Sequence, residues 1–382
     1  MGAKYKQASD ELVDELVDEL EELKGAADEL HDEFKFQESH KVLLRHLALT
    51  QRVYGDGDER TIKSMMAVCE SFHGLGDANS AVAMARQALA LSAKFLGDEH
   101  EVAGDANQCL GNMLSFAGLN VEAEPYMRRA LEIQTRESGE NNPDTAAILH
   151  DLGLLFLRKG DDEAAEPLFR RAAAILDDAS ETSQGLVACI THSLGQLMYD
   201  KDHLDSAETL LKEALEIREE FLGVDHPETM RTVGLLAKVL RHKKDQVGAE
   251  LLYQRAVSDQ ERMLGPDHLH LAITLFDSAD FLESLKNKKD DRRAIPLLRK
   301  SVAIFQKFQG HTDEYLSLGH RHLGRLLNND GHYDEALQHL LRAQEIRLTL
   351  AEQDTDTDAY VSELLAMVRD NQVGIDREEK EV

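Results

Sequence analysis

Residues 122–133 read Glu-Ala-Glu-Pro-Tyr-Met-Arg-Arg-Ala-Leu-Glu-Ile, and they decide the fold because the chain writes this stretch repeatedly. Its second residue, Ala123, has counterparts at Ala81, Ala165, Ala207, Ala249, Ala294 and Ala336. Successive positions are 42 residues apart, apart from one step of 45 between Ala249 and Ala294. One step back from Ala81 lands on Ser39, which makes eight registers. Seven residues on from this column sit Ala88, Ala130, Ala172, Ala214, Ala256, Ser301 and Ala343. Sixteen on sits a glycine in six registers: Gly55, Gly97, Gly139, Gly223, Gly265 and Gly310. A further small column holds Cys69, Gly111, Gly153, Gly195, Ala237, Ala279, Gly324 and Ala366. A fixed period of this length is the signature of a repeat architecture. The three extra residues of the long step are expected in a charged loop over 287–293.

Each unit reads as two helices. Ala123, Tyr126, Met127, Ala130, Leu131 and Ile133 recur at the 3- and 4-residue spacing of one helical face. Pro125, Pro167 and Pro296 share a column, expected in the first turn, where the N–H has no intrahelical partner. The glycine column is expected to end that helix in a left-handed cap. The next helix is expected to start near Pro143 or Pro227. Small residues suit a close helix crossing, where a larger side chain would hold the backbones apart. No strand-like alternation persists anywhere.

Leu152-Gly153, Phe156, Ala165, Phe169 and Ala172 together resemble the tetratricopeptide repeat. The 42-residue period is longer than the ~34 residues usual for that repeat. The extra length lies near connectors such as Gly97-Asp98-Glu99-His100 and Gly265-Pro266-Asp267-His268. In this the chain is similar to the kinesin light chain and nephrocystin-3 type of repeat domain. The resemblance implies an all-α, right-handed superhelical solenoid of about eight helix-turn-helix repeats. It implies that the first helices line a concave groove that takes an extended or helical peptide. By register, the groove residues are Gln108, Asn112, His150, His192, Gln196, Tyr199, Arg231, Lys238, Arg241, Arg321, Arg325 and Asn328. Met66, Glu70, Glu363 and Met367 occupy the same columns near the ends. The Asn-Asn-Leu-Ala run of kinesin light chains is absent: its places read Asp151-Leu152-Gly153, Ser193-Leu194-Gly195 and Leu235-Leu236-Ala237.

Charge narrows the partner class. The chain carries 43 Lys and Arg against 72 Asp and Glu, a net of −29, which argues against nucleic acid and anionic membrane surfaces. No apolar run approaches the length of a membrane span, and the start lacks a signal-peptide core. Three scattered cysteines suggest a reducing, intracellular and cytoplasmic setting. Against this background, Arg231, Lys238, Arg241, Arg321 and Arg325 gather at repeats five and seven. Two readings stand: a basic patch that receives an acidic peptide, or internal salt bridges, which Asp280 and Glu283 of repeat six would supply.

Candidates for chemistry fall away. Seventeen histidines include no His-Glu-x-x-His, and no Cys-x-x-Cys occurs, so no metal site is expected. Asp354, Asp356 and Asp358 resemble a calcium loop, but Ala359 stands where glycine is required and Leu365 where a bidentate glutamate is. The Asp-x-His connectors recur in register, which makes helix capping their simpler role. No phosphate loop, nucleophile elbow or dinucleotide fingerprint is present, so neither cofactor nor catalysis is expected.

The expected organisation is an acidic amphipathic helix within residues 1–35, serving as a cap or a docking element, with Leu12, Leu16, Leu20 and Leu23 on one stripe. A solenoid over 36–370 and a charged, disordered tail over 371–382 follow. The expected function is a non-catalytic protein-interaction scaffold or adaptor. The alternative is a permanent structural or assembly subunit of a larger complex.

Overall fold

The computed structural model describes residues 16–30, 35–176, 183–224, 226–286, 288–308, 313–349, 364–366 and 368. Asp225, Gly310, Glu363, Met367, residues 11–15 of the leucine stripe, residues 354–359 and the 371–382 tail lie outside the described residues. All regular structure among the described residues is helical. The chain forms two compact units, Met1–Leu197 and Met198–Val382.

The first unit holds α1 (16–30), α2 (Phe36–Tyr54), α3 (Glu59–Gly74), α4 (Ala78–Phe95), α5 (Glu101–Phe116), α6 (Asn120–Ser138), α7 (Pro143–Arg158), α8 (Asp162–Ile175) and most of α9 (Gln184–Asp200). The second holds the end of α9, then α10 (Leu204–Phe221), α11 (Pro227–His242), α12 (Gln246–Leu264), α13 (Leu269–Ser284), α14 (Lys288–Phe305), α15 (Asp313–Asn329) and α16 (Tyr333–Thr349). Odd-numbered helices are first helices and even-numbered ones second helices. Each of the first helices α3, α5, α7, α11, α13 and α15 packs on the second helix that follows it. It also packs on the one before it, as in α4–α5 and α14–α15. Each unit is therefore a stack of helical hairpins, a solenoid arrangement in which neighbours bury what one hairpin cannot.

The small columns meet at the hairpin crossings. A Cβ on Gly153 of α7 would lie 2.5 Å from the Phe169 ring of α8. One on Gly111 of α5 would meet Met127 at 2.6 Å and the Ala123 carbonyl at 3.4 Å. Ala123, Ala130, Ala165 and Ala172 on the facing helices are wholly buried. α1 obeys the same rule. Its Ala27, 42 residues before Cys69, is buried, and its carbonyl accepts from Ser39 Oγ of α2 at 2.9 Å. Set apart in the sequence by its acidity, α1 holds the place of a first helix.

The ends follow local chemistry. α7 and α11 begin at Pro143 and Pro227. Their caps are Asn142 and His226, whose side chains accept the Asp144 and Glu228 N–H groups at 2.7 and 3.2 Å. His100 and His268 cap α5 and α13 in the same way, each at 3.2 Å, so the recurring connector histidines are helix caps. The glycines that end the second helices do take positive φ, but with extended ψ: 85° and 166° at Gly55, 92° and 167° at Gly139. That mirror-image extended region is open essentially to glycine alone, and it turns the chain more sharply than the left-handed helical cap expected.

Two sequence expectations shift. Pro125 and Pro167 are the sixth residues of α6 and α8, not first-turn residues, because those helices start earlier than the proline suggested. A proline there cannot donate to the Val121 carbonyl, and Val121 is 81% exposed, which leaves that turn open to solvent. The three extra residues before Ala294 do not form a loop: α14 is already helical from Lys288. The turn inside each hairpin needs positive φ as well, and Asp202, Lys244 and Lys286 supply it where other repeats place glycine.

Gly153→Ala should lower the urea midpoint, with a loss of about 1–3 kcal/mol from overpacking against Phe169. Gly234→Ala is the control. Its added Cβ meets nothing within 4 Å, so helix propensity should raise stability by about 0.5–1 kcal/mol. Equal effects at the two sites would contradict the crossing argument.

Candidate functional site

The first helices carry polar residues that reach across to the next first helix. In the first unit, the side-chain amides of Gln108 and Asn112 on α5 both donate to Asp151 Oδ2 of α7, at 2.7 and 2.9 Å. His150 Nε2 of α7 lies 3.0 Å from Ser193 Oγ of α9. The partners in each contact are 39–43 residues apart, one repeat step. His192 is buried on α9, while Gln196 is exposed. An open cavity of about 480 Å³ lies near the start of this unit, walled by Leu20 and Lys24 of α1 and by Met66 and Glu70 of α3.

In the second unit the contacts become ionic. Lys238 of α11 pairs with Asp277 Oδ2 of α13 at 2.7 Å. Arg241 pairs with Asp280 Oδ2 at 2.6 Å. Glu283 of α13, with its side chain only 5% exposed, accepts from Arg325 and, at 3.1 Å, from His322 Nδ1, both on α15. Tyr199 Oη lies 3.3 Å from His242 Nε2, with the two rings 5.1 Å apart. Arg231 is exposed and pairs within its own helix, with Glu228 at 2.8 Å. Arg321 is half-buried beside His322, and Asn328 is buried.

Protonation states follow from these contacts. The Arg321 guanidinium can only donate, so His322 Nε2 accepts and Nδ1 carries the proton given to Glu283. Burial, helped by the Arg321 charge, holds the His322 pKa down to about 4, so the ring is neutral near pH 7. Burial also pushes the Asp277 carboxyl upward, against the pull of Lys238. Beside it, Tyr253 is buried near Arg241. Burial and the Asp277 charge raise that phenol well above its ordinary range.

Seven of the twelve groove residues expected from the sequence thus meet a residue one repeat on: Gln108, Asn112 and His150 in the first unit, and Tyr199, Lys238, Arg241 and Arg325 in the second. Arg321 stands beside His322 of its own helix and Arg231 pairs within its own helix, while Gln196 is exposed and His192 and Asn328 are buried. The sequence reading overlooked the partners Asp151, Ser193, Asp277 and His322. All four share one column, a single position on from His150, His192, Phe276 and Arg321, and a polar residue recurring there was the available signal.

The internal salt bridges weighed in the sequence are present: Lys238, Arg241 and Arg325 each face a carboxylate of α13. Asp280, Glu283 and His322 bring three donor atoms within 4.8 Å of one another. Arg241 and Arg325 already balance both carboxylates, so a cation would have to displace a guanidinium. Serine–histidine contacts occur at His46–Ser64, His40–Ser71 and His150–Ser193, and in the last two the serine has a second partner. Both serines donate to their own helix backbone, Ser71 to the Val68 carbonyl and Ser193 to the Cys189 carbonyl. The imidazole is then the donor, and the hydroxyl is not activated for attack.

A stack of helical hairpins joined by polar contacts along one helix set defines a helical-repeat protein. Over residues 103–178 and 186–262 the chain matches the family model of the tetratricopeptide repeat. No curated protein matches the sequence. Among solved structures, BtubC (BKLC) from P. vanneervenii is 19% identical over 61% of this chain and 90% of that one, with a TM-score of 0.52. The APC/C hetero-tetramer Cut9-Hcn1 is 15% identical over 91% of this chain and 55% of that one, with a TM-score of 0.60. A kinesin light chain with nearly identical TPR-like repeats, from Podosopora anserina, is 20% identical over 53% of this chain and 95% of that one, with a TM-score of 0.45. At such identities the likeness is one of fold. No helix among the described residues is long and apolar enough to cross a membrane.

His320 and His322 both have pKa values lowered to about 4, chiefly by burial, against 6.5 for an unperturbed ring. The unfolded chain therefore binds more protons between those values. The associated stability is complete above pH 6.5 and is lost as pH falls toward 4. The urea midpoint should drop between pH 7 and pH 5, and His320→Gln with His322→Gln should flatten that drop. An unchanged slope in the double variant would contradict the assignment.

Proposed function

We propose that this chain is a non-catalytic interaction scaffold that holds a peptide or helix of a partner protein along its first helices. We place an acidic segment of that partner at repeats five to seven, against Lys238, Arg241, Arg321 and Arg325. The observation that carries the reading is the set of carboxylates already lodged there. Asp277, Asp280 and Glu283 occupy the positions that acidic side chains of a ligand would take. Lys238, Arg241 and Arg325 each meet one of these carboxylates, so three cations on a chain of net −29 are already arranged to hold acidic groups. An arginine fork suits a carboxylate from either source, and a ligand would compete by exchange. The tetratricopeptide family generally serves protein–protein interaction, which supports the class. Cys69, Cys109 and Cys189 are free thiols, which supports a reducing, cytoplasmic setting.

The second reading, a permanent assembly subunit, is favoured by a separate observation. Phe221, Met263 and Leu348 leave large apolar side chains 47%, 48% and 77% exposed.

The chain contains no tryptophan, so the fluorescence of an acidic decapeptide carrying one Trp reports binding directly. Exchange predicts salt-sensitive binding. Asp280→Asn should tighten it about tenfold, roughly 1.4 kcal/mol, by releasing Arg241. Arg241→Gln with Arg321→Gln should weaken it by at least as much. Equal affinity in all three proteins would overturn the acidic-segment reading.

A further inference from the structure

A second register place lies apart from the first-helix contacts, at the C-terminal ends of the second helices. Phe221 closes α10, Met263 stands one residue before the end of α12, and Phe308 ends the short 3-10 turn after α14. They are 42 and 45 residues apart, the same steps that separate Ala207, Ala249 and Ala294. Their exposures are 47%, 48% and 40%, and Leu222 beside Phe221 is 43% exposed. In the first unit the same place holds Phe95, 51% exposed. There, a Cβ on Gly57 would fall 2.5 Å from the Phe95 ring, so part of the ring lies on the preceding connector. That stapling accounts for the buried half of such a side chain. It does not account for the exposed half, which recurs at three consecutive repeats of the second unit. Recurring exposed apolar groups in one row are the mark of an interaction surface.

Charge selects the occupant. The cations along this edge are already engaged: Arg255 with Glu219 at 2.6 Å, Lys300 with Glu261 at 2.7 Å and Lys307 with Asp267 at 2.6 Å. Glu216 and Glu220 of α10 are exposed and have no ion-pair partner among the described residues. The unbalanced charge beside the row is negative. A second copy of a chain of net −29 would bring more of the same sign, which repels. Neighbouring helices pack about 8–10 Å apart, so three repeats present the row over roughly 20 Å. At about 1.5 Å per residue, an α-helix of some four turns covers that length with anchors on one face.

We propose that Phe221, Met263 and Phe308 form a docking row for a basic amphipathic helix of a partner protein. This surface is separate from the first-helix face and does not depend on the acidic-segment reading. The apolar stripe of the helix would cover the exposed halves of the three side chains. Its flanking Lys or Arg residues would meet Glu216 and Glu220.

The test uses the full chain and two 18-residue Leu/Lys probe peptides of one composition, each with a single Trp. One places its leucines on a helical stripe, and the other scrambles them. The striped peptide should bind at least tenfold more tightly than the scrambled one. Phe221→Ser, Met263→Ser and Phe308→Ser together should abolish that difference while the helical circular dichroism stays unchanged. Should the triple variant lose helicity, Met263→Ser alone should still narrow the difference severalfold. Glu216→Gln with Glu220→Gln should weaken the striped peptide with little effect on the row itself. The proposal is overturned if the folded serine variants keep the full preference, or if both peptides bind the parent equally through net charge. Self-association of the parent that the serine variants abolish would also overturn it, because the occupant would then be a second copy.

Discussion

The whole molecule depends on one contact, the crossing of two helices inside each hairpin, where a small residue on the first helix leaves room for the second helix. Gly111 meets Ala123 and Met127, Gly153 meets Phe169, and Gly324 comes within 3.1 Å of the Ala336 carbonyl once a Cβ is imagined on it. The remaining apolar residues of the two helices pack on the next hairpin. Stacking then buries Phe169, Ile133, Phe281 and Phe305 almost completely. The same stacking brings the polar residues of the first helices together one repeat apart. Stability and the first-helix contacts therefore rest on one packing rule.

The crossing explains what could be read from the sequence. A column that tolerates only small residues repeats without ambiguity, so Ala123 and its counterparts revealed period, helix pairing and fold class. Positions governed by local backbone chemistry were harder. The hairpin turn takes Gly160 in one repeat and Lys244 or Lys286 in others, because the turn needs positive φ and not a particular side chain. Pro125 looked like a helix start, but it stands inside α6, where the turn is open to solvent. α1 was masked by its charge, although Ala27 stood in the small column one step before Cys69.

The candidate face was legible to within one position. Lys238, Arg241 and Arg325 were found by register, and so were two of their partners, Asp280 and Glu283. Asp277, Asp151 and His322 were missed because a side chain one residue further round the helix reaches sideways to the next first helix. Sequence spacing places a residue on a face, but it does not say whether a charge is spent within the fold or offered outward. The structure resolves that for Lys238, Arg241 and Arg325, each of which meets a carboxylate of α13. The paired state costs the fold little, since each cation keeps a partner in the absence of a ligand. For the proposed acidic segment it would also set a threshold, because the segment must offer better-placed carboxylates than the chain's own.

The most direct measurement is lysine cross-linking with mass spectrometry in a gentle extract of the source, read out on this chain. The account predicts cross-links from Lys238 and its neighbours on the first-helix face to a different protein, lost when salt is raised. Recovery of the chain with cross-links only to itself, at native mass, would contradict the claim that it works by holding another protein.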